Sequence, residues 1–333
     1  MNALTWMLLA TGAVAAAGLA SAARAAEPAP KDFPHAVLEK GGLKLTVYLP
    51  DAGEGFYRGA RFDWSGLVAR AEFGGRTVFG PFRLKYDATN HDNVVGPAEE
   101  FDMDQPQGYA EAAPGEAFVK IGVGLLTKPE EEKYGFMNPY TIASTGRWTF
   151  GCDEDWVEFK QVLGGPRGWG YEYTKRLTLA EAGPGFTIAH ALANTGTKPI
   201  DTTVYCHNFV VLDDEPVGPN YRIEFPFDLK PREHRGKVEF KGRELVMPEV
   251  LTDSVWIAFT GAGFTPAQHT VTLTNRRTGT GVRIQGNRPV SEWRFYAEKT
   301  AACPEPFVRI RVPPGTEATW RTVYTLLAGA AKP

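Results

Sequence analysis

Residues 188–214, IAHALANTGTKPIDTTVYCHNFVVLDD, contain the pattern that decides the fold. Residues 194–199 (NTGTKP) combine asparagine, glycine and proline, which interrupt regular structure and favour a turn. The following run, residues 203–211, is rich in β-branched and aromatic side chains and predicts a strand. Because side chains alternate between the two faces of a strand, one face is expected to carry an imidazole between two aromatic rings. These three residues are Tyr205, His207 and Phe209.

The same two-residue alternation recurs along the rest of the chain and is bounded by turn-forming residues. Clear examples are residues 171–179, 221–225, 238–240, 270–274, 282–285 and 308–312. Glycine (36) and proline (25) are frequent and aromatic residues make up 12%, which favours many short strands over long helices. The best candidate for a short helix is residues 97–101, because acidic side chains favour a helix N-terminus. We therefore predict an all-β fold, a large antiparallel β-sandwich with few short helices, formed by residues 37–330 as one domain.

The N-terminal residues differ in character from the rest of the chain. An apolar run covers residues 6–19, and Ala23-Arg24-Ala25 offers an A-x-A cleavage site. We predict a signal peptide over residues 1–25 and a flexible Pro/Ala-rich leader over 26–36. A membrane anchor is the alternative, but the run is short for a span and rich in alanine and glycine. An exported protein, periplasmic or extracellular, with no membrane contact after signal removal is the expectation.

Composition excludes several classes of function. The formal net charge of −3 provides no basic surface for nucleic acid. Cys152, Cys206 and Cys303 are far apart and form no C-x-x-C pair, so no zinc site is predicted and buried small hydrophobic side chains are expected. No nucleotide-binding loop is present. No cofactor and no metal are therefore predicted.

With their turn and their histidine strand, residues 188–214 resemble the centre of the aldose 1-epimerases, or galactose mutarotases. There, a strand ending in N-x-(G/S)-x-K-P precedes a strand carrying H-x-Y-F or a variant, which is HNF at residues 207–209 here. Residues 58–66, 151–179 and 297–326 resemble other parts of the family pattern in the same order. The resemblance implies a galactose mutarotase-like supersandwich.

The resemblance also implies an acid and a base. His207 would be the acid that protonates the ring oxygen of a sugar, and a glutamate near the C-terminus would be the general base. We assign the base to Glu298, and Glu305, which precedes Pro306, is the alternative.

Other polar residues are candidates for holding the sugar. The predicted substrate-binding residues are Arg61, His91, Glu99, Glu100, Asn208, Tyr296 and Glu305. The ordinary alternative for His91, Glu99 and Glu100 is a solvated loop. For Arg61 it is an internal ion pair with Asp63.

The leading hypothesis is a carbohydrate-binding protein that is an aldose 1-epimerase-like enzyme with a mono- or oligosaccharide ligand. One alternative is a polysaccharide lyase or hydrolase on the same fold, since fold does not fix function. A lyase would use Asn208 with Arg58 or Arg61 to neutralise a uronate carboxylate. The other alternative is a non-catalytic carbohydrate-binding module.

Overall fold

The computed structural model describes residues 32–83, 85–131, 133–259 and 264–329, and almost all of the regular secondary structure in these residues is β-strand. In chain order the strands are β1 His35–Lys40, β2 Leu43–Tyr48, β3 Leu67–Phe73, β4 Arg76–Val78, β5 Ala98–Phe101, β6 Ala117–Lys120, β7 Gly124–Thr127, β8 Ile142–Ser144, β9 Arg147–Cys152, β10 Trp156–Gly164, β11 Gly170–Leu179, β12 Gly185–Asn194, β13 Ile200–His207, β14 Tyr221–Glu224, β15 Pro231–Arg235, β16 Glu239–Lys241, β17 Glu244–Val246, β18 Val255–Phe259, β19 Thr270–Asn275, β20 Thr280–Gly286, β21 Glu292–Glu298, β22 Ala301–Val312 and β23 Glu317–Ala328. Single 3₁₀ turns lie at Pro166–Gly168 and Pro266–Gln268.

Two large antiparallel sheets organise these strands. One has ten strands in the order β16-β17-β14-β19-β20-β23-β12-β11-β10-β9, and the other has six in the order β15-β18-β21-β22-β13-β5. Apolar side chains from both sheets form one continuous core, which contains Phe159 and Leu177 from the first sheet and Ile257 and Phe295 from the second. The predicted all-β antiparallel sandwich is confirmed. Within the described residues, no helix has the length and apolar character needed to cross a membrane.

The strand β5 replaces the short helix predicted at residues 97–101, so that prediction is wrong. Both of its acidic residues are buried, Glu100 completely and Glu99 to 4% exposure. They point to opposite faces of the strand and each meets a cation from a distant part of the chain. The local pattern of two acids suggested a helix start, whereas long-range ion pairing and the ladder to β13 fix an extended backbone.

The N-terminal predictions fall largely outside the described residues. The signal peptide at 1–25 and residues 26–31 of the leader lie there. The strand β1 begins at His35, so the last two residues of the predicted leader are not a flexible segment. His35 and Ala36 pair with Tyr48 and Val47 of β2, which holds them in a sheet.

The cysteines are free thiols. Cys206 and Cys303 are buried as expected for small hydrophobic side chains, whereas Cys152 is exposed on the edge strand β9.

A group of charged residues is buried between the two large sheets. The ammonium of Lys175 on β11 is fully buried and contacts the carboxylates of Glu99 and Asp63. It also donates to the Ser65 carbonyl at 2.7 Å. Removing one partner of a buried ion pair leaves an uncompensated charge, which costs far more than the pair contributes.

Lys175→Met is therefore expected to lower the free energy of unfolding by about 3–5 kcal/mol, because Glu99 and Asp63 lose their cation. Chemical denaturation measures the change. Lys160→Met is the matched control: its ion pair with Glu172 lies on the exposed face of neighbouring strands and contributes about 1 kcal/mol or less. Equal losses in the two variants would contradict a structural role for the buried charges.

Candidate active site

The floor of the candidate site is one face of the six-stranded sheet, where β21, β22 and β13 lie side by side. Arg294 pairs with Glu305 across the first ladder, and Tyr205 pairs with Phe307 across the second. Continuing the second ladder by two residues brings His207 opposite Glu305. Their side chains touch, with His207 Nε2 3.1 Å from Glu305 Oε1. The register thus places an imidazole and a carboxyl group in contact.

Aromatic rings surround His207. The strand β13 ends at this residue, and Phe209 adopts a positive φ of 39°. This bend lets the Phe209 ring stack on the imidazole with centroids 3.8 Å apart. The rings of Phe62 and Tyr296 approach it edge-on at 5.9 and 5.8 Å. Burial, with the positive charge of Arg61, lowers the pKa of His207 well below its ordinary value, so the free imidazole is neutral at pH 7.

Glu305 is a buried carboxyl group with a raised pKa. Burial raises the pKa to about 8, and the nearby charges of Arg61 and Arg294 only partly oppose this effect. At neutral pH the carboxyl group therefore keeps its proton in the ligand-free protein. The contact of His207 with Glu305 then joins a neutral imidazole to a neutral carboxyl group, and the pair holds one transferable proton.

Arg61 connects this pair to the core. Its Nε donates to Glu100 at 2.8 Å and its Nη2 donates to the Tyr205 hydroxyl at 2.8 Å. The remaining Nη1 binds Asp92. The rings of Phe62 and Phe136 each lie 4.4 Å from the guanidinium carbon. With its donors fixed and its plane held by two rings, Arg61 is a rigid group.

The ion pair of Arg61 with Asp63, which was the ordinary alternative to a sugar-binding role for Arg61, does not form. Residues 58–66, which resemble an early strand of the family pattern, form no strand here. Instead the backbone N–H groups of Arg61 and Phe62 both donate to the Tyr57 hydroxyl. The carboxylate of Asp63 faces Lys175 in the core.

Asp92 lies at the edge of the site, where it binds two arginines and contacts a histidine. Besides Arg61 it binds Arg83 at 3.0 Å, and His91 Nε2 lies 3.4 Å away. Although burial raises the pKa of Asp92, the hydrogen bond from His91 and the charge of Arg61 outweigh it and hold that pKa far below the usual range. Asp92 is therefore an ionised carboxylate at all ordinary pH values.

These groups line a cavity of about 450 Å³. Its wall combines charged, aromatic and sulfur-containing side chains, which is typical of a pocket for a small polar ligand. The lining residues are Arg61, Phe82, His91, Asp92, Met103, Phe136, Met137, Tyr205, His207, Phe209, Arg235, Ser254, Trp256, Arg294, Tyr296 and Glu305. The described residues offer no group of three or more His, Cys, Asp or Glu arranged to hold a metal ion.

Five of the sequence-predicted site residues meet in this cavity, and four do not. Those in the cavity are Arg61, His91, His207, Tyr296 and Glu305. Those outside are Glu99, Glu100, Asn208 and Glu298.

Each residue outside the cavity has a structural partner. Glu99 forms an ion pair with Lys175, and Glu100 forms one with Arg61. Asn208 is fully buried and points the other way, because it lies one residue from His207; its amide donates to the Pro304 carbonyl at 2.7 Å. Glu298 lies 3.2 Å from Arg83, and the same arginine binds Asp92, which lines the cavity.

Several polar or aromatic lining residues were not among the predicted site residues, and Asp92, Arg294, Arg235 and Trp256 are four of them. Asp92 stands within the polar run NHDN at residues 90–93, and Arg294 shares a strand face with Tyr296, so both had a visible signal. Arg235 and Trp256 had none. They come from β15 and β18, whose place beside β21 depends on long-range pairing.

Comparison with known proteins addresses the fold. No protein-family model and no curated protein matches the chain. Among solved structures, it is similar to the Slr1438 protein from Synechocystis sp. PCC 6803, with a TM-score of 0.56, 11% identity, and 90% and 97% of the two chains covered. A galactose mutarotase-like protein from Clostridium acetobutylicum gives a TM-score of 0.55 at 11% identity, covering 91% of this chain and 98% of that one. Galactose 1-epimerase from Lactobacillus acidophilus NCFM gives 0.53 at 11% identity, covering 89% and 94%. The chain therefore has the galactose mutarotase-like fold that residues 188–214 predicted.

Proposed function

We propose that the protein is an aldose 1-epimerase-like enzyme that interconverts the anomers of a sugar, with Glu305 as base and His207 as acid. The observation that carries this proposal is the 3.1 Å contact between the two side chains at the floor of the cavity. The names of two similar structures, a galactose mutarotase-like protein and a galactose 1-epimerase, agree with it. At 11% identity these likenesses supply no residue roles.

The reaction requires two proton transfers at neighbouring oxygens. Glu305, as the carboxylate, takes the proton of the anomeric hydroxyl while protonated His207 gives its proton to the ring oxygen. The bond between C1 and the ring oxygen breaks and an open-chain aldehyde forms. Rotation about the bond from C1 to C2, followed by the reverse transfers, closes the ring as the other anomer. Both oxygens are bonded to C1, so an acid and a base in mutual contact can reach both of them from one side.

The proton inventory of the pair suits this chemistry. The neutral pair and the pair of Glu305 carboxylate with His207 imidazolium hold the same number of protons, and one transfer across the contact interconverts them. Burial deprives the Glu305 carboxylate of water. The hydroxyl groups of a bound sugar would donate hydrogen bonds in place of that water, which favours the pair of carboxylate and imidazolium. General acid–base catalysis works best with groups whose pKa values bracket the working pH.

The remaining lining residues suit a sugar ligand. Tyr296 and Trp256 offer flat rings on which the CH groups of a sugar can pack. The fixed donors of Arg61 and the polar groups of His91 and Asp92 can bind hydroxyl groups. Of the residues that the lyase alternative would use to neutralise a uronate carboxylate, Asn208 faces away from the cavity, whereas Arg61 lines it.

His207→Asn is expected to reduce the catalysed rate of anomer interconversion by about 10²–10⁴-fold, because the asparagine amide cannot protonate the ring oxygen. Polarimetry on freshly dissolved hexoses and pentoses measures the rate above that in buffer. A wild-type protein no faster than buffer across these sugars, and across hexuronates and hexose phosphates as well, would overturn the proposed function. Sugar binding without turnover in both proteins would favour the non-catalytic binding module.

A pair of substitutions tests which glutamate is the base. Glu305→Gln is expected to lose about 10²–10⁴-fold in rate, since the amide cannot accept the proton. Glu298→Gln is expected to keep most of its activity, because Glu298 forms a partly exposed ion pair with Arg83 outside the cavity. The reverse order of losses would return the role to Glu298, the residue assigned from the sequence.

The pH dependence follows from the single proton of the pair. That proton belongs to both residues, so its loss removes the acid even though it leaves the base ionised. Since the pKa of Glu305 is raised to about 8, kcat/KM is expected to be level near neutrality and to fall as the pH rises through about 8. The acid limb, where a second proton binds, lies well below pH 6.5 because the pKa of His207 is lowered. Polarimetry across pH, corrected for the spontaneous reaction, checks this; an activity that rises through pH 8 would contradict it.

A further inference from the structure

Two of the three arginines that line the cavity, Arg235 and Arg294, have no role in the proposed function. Arg294 lies opposite Glu305 in the ladder between β21 and β22, with its guanidinium 4.4 Å from the centre of the Phe307 ring. Arg235 ends β15, and its guanidinium lies 5.4 Å from the ring of Trp256 on the neighbouring strand. Arg235, Trp256 and Arg294 thus come from three consecutive strands of the six-stranded sheet, β15, β18 and β21, and all three line the cavity.

The negative charge nearby does not balance this side of the cavity. Of the two lining carboxyl groups, Asp92 is occupied by Arg61, Arg83 and His91, and Glu305 is uncharged at neutral pH. No carboxylate of the described chain lies within 4 Å of Arg235.

Arg294 is only partly neutralised. It binds Glu292 at 3.1 Å, but the same carboxylate also binds Arg232 at 2.8 Å, and the negative charge of Asp104 acts on Arg294 without forming an ion pair with it. Its Nε–H is buried and has no acceptor in the part of the chain that the structure describes. The guanidiniums of Arg235 and Arg294 thus leave a net positive charge on the wall that a ligand would cover.

A neutral sugar would not use this arrangement well. Covering a guanidinium with a neutral ligand removes its water without supplying an opposite charge, which opposes binding. A carboxylate or phosphate instead accepts charge-assisted hydrogen bonds, and the planar fork of arginine matches the geometry of both groups. The excess of cations on one wall of a small cavity also attracts anions from solution.

We infer that the substrate is an acidic sugar, whose carboxylate or phosphate group binds Arg235 and Arg294 while its ring packs against Trp256. The inference rests on the proposed function, since it names the class of sugar that the same site takes. A uronic acid and a sugar phosphate present the same chemistry to the two arginines, so both are tested.

The first experiment compares kcat/KM for anomer interconversion of glucuronate, galacturonate and glucose 6-phosphate with that of glucose and galactose. At least one acidic sugar is expected to exceed its neutral counterpart by about tenfold or more, the effect of one charged hydrogen bond. If a uronate has the higher kcat/KM, the anionic group is a carboxylate; if glucose 6-phosphate has the higher value, it is a phosphate. Equal values for acidic and neutral sugars would overturn the inference and leave the epimerase proposal standing.

Substitution locates the source of the preference. Arg235→Gln and Arg294→Gln are each expected to lower the ratio of acidic to neutral kcat/KM by about tenfold. Arg243→Gln, which makes the same change of charge on an exposed residue between β16 and β17, is the control and should leave the ratio unchanged. An equal fall in the control would assign the effect to net charge and overturn the site.

Binding separates the inference from the proposed reaction. The His207→Asn protein is titrated with glucuronate, glucose 6-phosphate and glucose by calorimetry. Tighter binding of an acidic sugar that Arg235→Gln abolishes supports the inference even if no protein shows turnover. Binding of glucose as tight as that of both acidic sugars overturns it even if turnover is found.

Discussion

Two carboxylates buried on one short strand fix the core and the site relative to each other. Glu99 and Glu100 on β5 point to opposite faces because side chains alternate along a strand. Each would be very costly to bury alone, so each needs a cation of its own. Between the sheets Glu99 meets Lys175, while on the site face Glu100 meets Arg61 and Lys120. A strand of four residues therefore holds a lysine from the facing sheet and an arginine of the cavity wall in fixed positions.

From Glu100 the charges continue outward to the cavity. Arg61 binds Asp92 and fixes the position of its carboxylate. Asp92 in turn binds Arg83 and contacts His91. These groups are thus positioned before any ligand arrives, which lowers the cost of ordering them during binding and reaction. The histidine strand gains from the same network, since the Tyr205 hydroxyl lies between Arg61 and Glu100.

How far the sequence predicts this molecule depends on the range of the interactions concerned. Strand β11 was predicted at residues 171–179 and occupies Gly170–Leu179, because apolar alternation is a local signal. The strand predicted at 203–211 ends at His207, where Phe209 turns back onto the imidazole. The helix predicted at 97–101 is wrong because the partners of its two acids lie 39 and 76 residues away.

The choice between Glu298 and Glu305 as the proposed base shows the same limit at the site. Glu298 and Glu305 both stand in the C-terminal pattern, and alternation cannot separate them because they lie on neighbouring strands and face the same side. Register separates them: the ladders place Arg294, Glu305 and His207 in one row across three strands, whereas Glu298 ends β21 beside Arg83. A carboxylate opposite an arginine is ordinarily ionised, but here burial outweighs the arginine and keeps the proton on Glu305. The row therefore contains a guanidinium, a protonated carboxyl group and an imidazole on three neighbouring strands. A slip of one residue in either ladder would turn these side chains to opposite faces of the sheet.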